Sequence, residues 1–388
     1  MKKLIRSILA LAAIALGAVP AFAGETIKIG VIGPYSGLYA DLGNHMQNGI
    51  NLYVKLHGDH IAGKKIELLF RDDNNGSPDV AKRLTQELAT RDEVDILTGY
   101  ISTPSAMASA PVAAKAQKPM LIVQAATSGI TEESAFATRL SYTLGQVAAP
   151  MGSWAAKNGI KTVFTLVSDF GPGYNALAAF TKSFTAGGGQ VVGGVKVPLG
   201  NLEFGPFIQR ARDANADAVF IFVPAGETAT ALMKTYADRD LASAGVRVIT
   251  TGDVVSEGGL DAIGKAALGV ISSFHYSTAH DSPENKEFIK AYREAFPGTR
   301  ADFIAMQAYD TMAMIYTIGN QLKGDLNPEK FMAALKGFKM ISPRGPIEID
   351  GESREVIQDI YIRKVEMRGD HLENIEFDKL PAMRDPGK

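Results

Sequence analysis

Short apolar segments alternate with amphipathic segments along most of the chain. β-branched runs at 26–32 and 162–167 are each followed by a segment whose apolar positions recur at helical spacing. Strands that alternate with helices form parallel sheets, because each helix carries the chain back to start the next strand. The pattern therefore predicts an α/β fold with two such series, over 26–123 and 146–250. Each series has enough strands for one Rossmann-like lobe.

The last third of the chain has a different pattern. Long helices are predicted over 283–296 and 303–322, and strands follow at 346–349 and 357–365. These strands have no partners of their own, so we expect this region to complete the two earlier lobes. The chain then crosses between the lobes several times. Several crossings form a hinge, and a hinge lets two lobes close around a ligand.

The N-terminal segment has the pattern of an export signal. Lys2, Lys3 and Arg6 precede an apolar run at 8–19, which is followed by Ala-Phe-Ala at 21–23. Twelve helical residues span about 18 Å, which is less than the roughly 30 Å that a membrane helix must cross. We therefore predict a signal peptide over 1–23, cleaved after Ala23, and a mature protein free in an extracytoplasmic compartment.

Charge and cysteine content narrow the functional classes. The 40 basic and 42 acidic residues give a net charge of −2, and removal of 1–23 leaves 37 basic and 42 acidic residues, a net charge of −5. This balance offers no basic excess for nucleic acid. The chain has no cysteine, which excludes disulfides, thiolate metal sites and a lipid anchor on an N-terminal cysteine.

Three loops in the first series are rich in small and hydroxyl residues. They lie at 33–37, 99–104 and 124–129, each directly after a predicted strand. Ligands of parallel sheets bind at the carboxyl ends of the strands, where helix N-termini attract anions. Any one of these loops taken alone is better explained as an ordinary cap or turn. Three together predict a site for an anionic group such as a carboxylate, held by neutral donors.

The corresponding loops of the second series carry rings and acids instead. Phe170 and Tyr174 lie in the loop after one predicted strand, and Asp253 follows another. If the lobes face each other, these side chains would meet the apolar or donor-bearing part of the ligand. The alternative is that both rings pack beneath their loop and that Asp253 caps a turn.

The sequence contains no complete enzyme motif. Residues 259–265 have the spacing of a phosphate-binding loop, but Ala266 stands where a hydroxyl residue binds magnesium. The loop at 33–37 lacks the glycine spacing of a dinucleotide site, and no Gly-x-Ser-x-Gly motif or helical His pair occurs. We therefore predict no catalytic residue, no metal site and no cofactor. A secreted α/β hydrolase is the distant alternative.

The chain resembles the leucine/isoleucine/valine-binding proteins of bacterial ABC importers. The matching segments extend over the whole mature chain and read IKIGVIGPYSG at 27–37, GINL at 49–52, GKKIEL at 63–68, RDD at 71–73, SDFGPG at 168–173 and AYD at 308–310. The resemblance implies a type I periplasmic binding protein with two Rossmann-like lobes and three interlobe crossings. It also implies a monomer in the periplasm, which traps a small carboxylate and delivers it to the permease subunits of the importer.

The resemblance further implies where the lobes divide. Lobe 1 is expected to comprise residues 24–144 and 277–344. Lobe 2 is expected to comprise residues 145–276 and 345–388.

The resemblance also implies the binding residues. Contacts to the ligand carboxylate fall on one loop of lobe 1 and its neighbour, and contacts to the rest of the ligand fall on both lobes. The full set is Ser102 or Thr103, Tyr100, the backbone of Ala125, Thr127, Leu42, Phe170 or Tyr174, and Asp253. Asp253 stands where the family has a longer Glu that meets an α-ammonium. The sequence as a whole looks most like the branch that binds aromatic acids of the benzoate, hydroxybenzoate or phenylpropenoate type, and the alternative ligand is a branched-chain amino acid.

Overall fold

The computed structural model describes residues 26–239 and 245–387. The predicted signal peptide lies outside the described residues. The described part contains two β-sheets with helices packed against them, which confirms the predicted α/β fold with two lobes. No helix within 26–239 and 245–387 is long and apolar enough to cross a membrane.

The first sheet is formed by the N-terminal part of the chain. Its strand order is β2-β3-β1-β4-β5-β6, and all neighbours are parallel except the hairpin β2–β3. The strands are β1 Ile27–Gly33, β2 His60–Ile61, β3 Lys64–Asp72, β4 Ile96–Gly99, β5 Met120–Ile122 and β6 Ala137–Arg139. Central strand β1 is buried at every position except Lys28, because parallel strands are covered by helices on both faces.

Three helices connect these strands: α1 Ala40–His57, α2 Pro78–Thr90 and α3 Thr103–Ala116. Pro78 and Pro104 lie in the first turns of α2 and α3, where a missing N–H costs no hydrogen bond. In α1, Gly49 permits a close helix contact, since a Cβ there would lie 2.1 Å from the carbonyl oxygen of Ala305.

The second sheet has nine strands. The order is β12-β13-β14-β11-β10-β9-β7-β8, and β15 pairs with β14. Its first part comprises α4 Leu144–Lys157, β7 Thr162–Ser168, α5 Gly171–Ala186, β8 Gln190–Val197, α6 Gly205–Asp213, β9 Ala218–Phe222, α7 Glu227–Asp238, β10 Arg247–Thr251, α8 Glu257–Ile263 and β11 Ile271–Phe274. Strands β7 to β11 pair with one another in parallel. Strand β14 pairs antiparallel with β11, β13 and β15, and β12 pairs antiparallel with β13.

The last third of the chain divides between the two lobes, as its pattern predicted. It comprises α9 Pro283–Ala295, α10 Phe303–Gln321, α11 Pro328–Leu335, β12 Lys339–Ser342, β13 Gly345–Ile349, β14 Val356–Arg368 and β15 His371–Met383. Helix α10 packs against α1 of the first lobe, while the four strands extend the second sheet. The chain therefore crosses three times, after β6, after β11 and after α11. Strand β12 joins the second sheet at Lys339, ahead of the boundary predicted at residue 344.

Buried arginines connect the crossing segments. The Nε of Arg139, at the end of β6, lies 2.8 Å from a carboxylate oxygen of Glu355, and both side chains are buried. Thr131 donates to the other oxygen of Glu355 at 2.9 Å. Arg344 donates to the carbonyl oxygens of Leu140 and Ser141 and pairs with Asp310. The bonds of Arg344 to Leu140 and Ser141, like those of Glu355 to Thr131 and Arg139, join residues more than 200 positions apart and fix the two sheets at the seam where the chain crosses between the lobes.

Removing Arg139 from its buried pair with Glu355 should destabilise the protein. In Arg139→Met the carboxylate of Glu355 stays buried without its cation, so we expect the free energy of unfolding to fall by about 3 kcal/mol. Urea unfolding followed by circular dichroism measures the loss. The double variant Arg139→Met/Glu355→Met should lose less than the single variant, because no unpaired charge remains. Lys286→Met, which removes an exposed pair with Asp281, should change stability little. A single variant as stable as the wild type would contradict the role assigned to the pair.

Candidate functional site

A cavity of about 110 Å³ lies between the two lobes at the carboxyl ends of their strands. Both lobes and the crossing segments contribute to its walls. Apolar side chains form most of the lining, among them Leu42, Ile101, Leu144, Phe170, Phe222 and Ile304. The polar side chains that reach it include Ser102, Thr103, Gln124, Tyr142 and Asp253. A pocket with apolar walls and a few polar groups orients a small ligand through those polar groups.

The N-terminus of α3 forms one polar part of the lining. Ser102 caps this helix by accepting a hydrogen bond from the amide of Ser105 at 3.2 Å. Its hydroxyl also lies 3.1 Å from the carbonyl oxygen of Gly76. Thr103 exchanges a hydrogen bond with Thr127 at 3.1 Å between their hydroxyl oxygens. The first amides of a helix have no intrahelical acceptor and carry partial positive charge. This part of the cavity therefore suits an anionic group.

Asp73 holds the neighbouring loop against α3. It is fully buried, accepts from the Ser105 hydroxyl at 3.0 Å and accepts from the amide of Gly76 at 2.8 Å. Burial raises the pKa of this carboxyl. Asp73 thus fixes the loop that brings Asn75 and Gly76 to the cavity wall.

A second polar cluster surrounds Asp253, which follows β10. The Tyr142 hydroxyl donates to one carboxylate oxygen of Asp253, and Thr251 donates to the other at 2.9 Å. Gln124 donates from its side-chain amide to the Tyr142 hydroxyl at 3.2 Å. Burial raises the pKa of Asp253 to about 6, and burial followed by the charge of Asp253 raises that of Tyr142 well above 10. At neutral pH, Asp253 is thus a buried acceptor and Tyr142 a neutral phenol.

Two neighbouring rings, those of His275 and Phe274, pack against Tyr142. The ring of His275 stacks on Tyr142 with centroids 4.7 Å apart, and Phe274 meets it edge-on at 4.9 Å. Burial, followed by the nearby charges of Arg344 and Arg363, lowers the pKa of His275 well below its usual value. The imidazole is therefore neutral and acts as a flat packing surface.

Five of the predicted binding residues line the cavity: Leu42, Ser102, Thr103, Phe170 and Asp253. Ser102 and Thr103, predicted as alternatives, both line it. Of the two rings predicted for the second lobe, Phe170 lines the cavity and Tyr174 does not.

Four predicted residues lie outside the lining. Tyr100 is fully buried on the other side of its loop, with its hydroxyl 3.1 Å from that of Thr85. The amide of Ala125 is already bonded to the carbonyl oxygen of Tyr100 at 3.0 Å. Thr127 stands behind Thr103.

Tyr174 points to solvent. It is 44% exposed, donates to Asp169 at 2.5 Å and lies beneath the ammonium of Lys196 at 4.4 Å. The hydrogen bond of the Tyr174 hydroxyl to the exposed acid Asp169 keeps the ring at the surface, away from the cavity.

Sequence reasoning missed the residues contributed by crossing segments. Tyr142 and Leu144 lie in the first crossing, whereas Phe303 and Ile304 begin α10. The segment 141–143 follows strand β6, which has only three residues. A strand this short leaves no recognisable hydrophobic pattern in the sequence. Gln124 lay in one of the predicted loops, but nothing in the sequence showed that its side chain faces the cavity.

In the part of the chain that the structure describes, no group of three or more His, Asp or Glu side chains is arranged to hold a metal ion.

Comparison with known proteins identifies the family. The family model described as "Periplasmic binding protein" matches residues 26–370. The Leu/Ile/Val-binding protein homolog 6 of Brucella melitensis is 39% identical over 390 residues, covering 100% of this chain and 99% of the relative.

Solved structures with the same fold come from Rhodopseudomonas palustris. The solute-binding protein of strain BisB5, in complex with 3,4-dihydroxy benzoic acid, has a TM-score of 0.91 and 47% identity, covering 93% of this chain and 99% of its own. A second, in complex with 4-hydroxybenzoate, has a TM-score of 0.90 and 40% identity at the same coverage. Periplasmic binding proteins of ABC transporters bind small molecules and work with membrane permeases. Matched over nearly its whole described length, the chain belongs to the periplasmic binding proteins, the solute-binding components of ABC transporters.

Proposed function

We propose that the protein captures a hydroxylated aromatic acid, of the hydroxybenzoate or hydroxyphenylpropenoate type, between its two lobes. The observation that carries this proposal is the arrangement of the cavity lining. Helix α3 offers neutral donors and a positive helix end to a carboxylate, whereas Asp253 offers an acceptor to a hydroxyl group. Apolar side chains make up most of the remaining wall.

The apolar walls suit a planar ring. The rings of Phe170 and Phe222 are stacked with centroids 6.2 Å apart and planes at 18°. The cavity of about 110 Å³ has the magnitude of the roughly 150 Å³ apolar cavity that accommodates benzene. A single aromatic ring with small substituents matches this space.

The surroundings of Asp253 favour a neutral hydroxyl donor over an ammonium. Its hydrogen-bond partners are hydroxyl groups, and the charge of Arg363 acts on the same carboxylate. An ammonium brought to this position would be repelled by that guanidinium. The relatives bound to hydroxylated benzoates support the aromatic ligand. A branched-chain amino acid is the second candidate, favoured by the name of the Brucella relative, a Leu/Ile/Val-binding protein homolog.

The cellular role follows from the family. The proposal includes export by the signal at 1–23, with cleavage after Ala23, and action as a monomer in the periplasm. The loaded protein then delivers the acid to the permease subunits of its ABC importer.

Titration calorimetry with purified protein tests the ligand class. We expect 4-hydroxybenzoate to bind with a micromolar or lower Kd, because about ten heavy atoms at up to roughly 1.5 kcal/mol each exceed the roughly 8 kcal/mol required. L-Leucine, titrated under the same conditions, should give no heat of binding. Binding of leucine without binding of any aromatic acid would reject the proposal and establish the second candidate.

Thr103→Val tests the position of the carboxylate. The substitution keeps the shape of the side chain and removes its hydroxyl, so the Kd for 4-hydroxybenzoate should rise about tenfold or more through the loss of a hydrogen bond to a charged group. Thr185→Val is the matched control, because Thr185 is an exposed residue of α5 that bonds to its own helix. Equal affinity of the two variants would place the carboxylate elsewhere.

Asp253→Asn should stabilise the ligand-free protein at neutral and alkaline pH. The buried carboxyl binds its proton more tightly in the folded state, with a pKa raised from 3.8 to about 6. Its contribution to stability is therefore complete below pH 3.8 and is lost as the pH rises through about 6. A pKa that is higher by about two corresponds to about 3 kcal/mol of folding stability. The wild-type protein loses this stability when Asp253 ionises, whereas the variant, with an uncharged amide, keeps it.

Urea unfolding at a series of pH values measures this effect. The stability gain of Asp253→Asn over the wild type should be small at pH 4 and approach about 3 kcal/mol at pH 8. Asp378→Asn, at an exposed position of β15, should follow the wild type throughout. A gain that does not change with pH would show that burial of the charge is not its cause.

A further inference from the structure

The hydrogen-bond directions around Tyr142 fix the orientation of Gln124. Tyr142 has one hydroxyl hydrogen, and it is donated to Asp253. The phenol oxygen can therefore only accept from Gln124, whose side-chain nitrogen lies 3.2 Å away. Because the amide nitrogen must face Tyr142, the carbonyl oxygen Oε1 of Gln124 faces a different direction.

That oxygen is a buried acceptor without a donor. Gln124 is 8% exposed and lines the cavity, and its Oε1 has no hydrogen-bond partner among the described residues. A buried acceptor left unpaired is unfavourable, and the penalty is larger than the gain from an ordinary exposed hydrogen bond. A ligand that brings a donor to this oxygen gains that difference.

Two acceptors thus lie on either side of the Tyr142 hydroxyl. The carboxylate of Asp253 accepts its hydrogen bond, and the Gln124 amide donates one to it. A ligand with one hydroxyl that donates to Asp253 leaves Oε1 of Gln124 unpaired. An aromatic acid without a hydroxyl also leaves Oε1 unpaired, and it adds nothing to the bonds that Asp253 accepts from Tyr142 and Thr251.

We infer that Gln124 is a specificity-determining residue that selects aromatic acids with two neighbouring ring hydroxyls, that is, catechol-type acids. This inference rests on the proposed function. One hydroxyl donates to Asp253, and its neighbour on the ring donates to Oε1 of Gln124. Tyr142 stands between the two acceptors and keeps both in place.

Calorimetry on the wild-type protein tests the selection directly. The ligands are 3,4-dihydroxybenzoate, 4-hydroxybenzoate and benzoate. We expect the dihydroxy acid to bind about tenfold more tightly than the monohydroxy acid or better, since it pairs one further buried acceptor. Benzoate should bind more weakly than either.

Gln124→Met assigns the preference to this residue. Methionine has a similar length and no acceptor of comparable strength, so the ratio of the two dissociation constants should fall to within about twofold of one. Thr103→Val is the matched control at the α3 part of the cavity. It should weaken binding of both acids by a similar factor and leave their ratio as in the wild type.

The outcomes separate this inference from the proposed function. A wild-type protein that binds no aromatic acid refutes the proposed function. A wild-type protein that binds both hydroxylated acids equally refutes the selection by Gln124 and leaves the proposed function intact. A preference that persists in a folded Gln124→Met variant, as judged by circular dichroism, likewise refutes the role of Gln124. If that variant does not fold, the ratio measured on the wild type still decides.

Discussion

Arg139, Arg344 and Arg363 are all fully buried, and the rest of the structure depends on how their charges are compensated. A guanidinium removed from water is tolerated only with an acid nearby and acceptors for its remaining hydrogens. Each of the three has both. Arg139 meets Glu355, Arg344 meets Asp310, and Arg363 lies 3.4 Å from Glu257 and bonds to Ser272. These clusters lie at or beside the seam between the sheets, so the same bonds that neutralise buried charge fix where the chain crosses.

The binding cavity is continuous with this seam. Arg344 holds the carbonyl oxygens of Leu140 and Ser141, the two residues before Tyr142. Arg363 lies over the ring of Phe274, and its charge acts on Asp253. The polar cluster of Tyr142, Gln124 and Asp253 is therefore positioned by bonds to backbone groups of crossing segments, which have little freedom to move independently. A site carried by such segments keeps its geometry better than one built from free loops.

Much of the fold was predictable, because strands buried on both faces and amphipathic helices have strong periodic patterns. Strand β15 was not, since charged and exposed residues occupy most of its second half. Among the residues predicted from loop chemistry and the family resemblance, Ser102, Thr103 and Asp253 line the cavity, whereas Tyr100 and Tyr174 lie outside its lining. The position of a residue in a loop does not show which way its ring points. The ring of Tyr174 is held at the surface by its hydrogen bond to Asp169 and its contact with the Lys196 ammonium. Tyr142 and Gln124 emerged only when tertiary contacts joined them.

The polar cluster at Asp253 also bears on how closure is linked to ligand chemistry. Closing two lobes over a cavity removes Asp253 and Gln124 from water whether or not a ligand is present. Without donors in the cavity, that desolvation opposes closure, and Tyr142 and Thr251 compensate it only in part. A ligand shifts a conformational equilibrium by its difference in affinity for the two states. Hydroxyl groups that pair the buried acceptors contribute to that difference only when the cavity is closed. For the hydroxylated aromatic acid that we propose as the ligand, the same atoms that oppose closure of the empty site would favour closure of the loaded one.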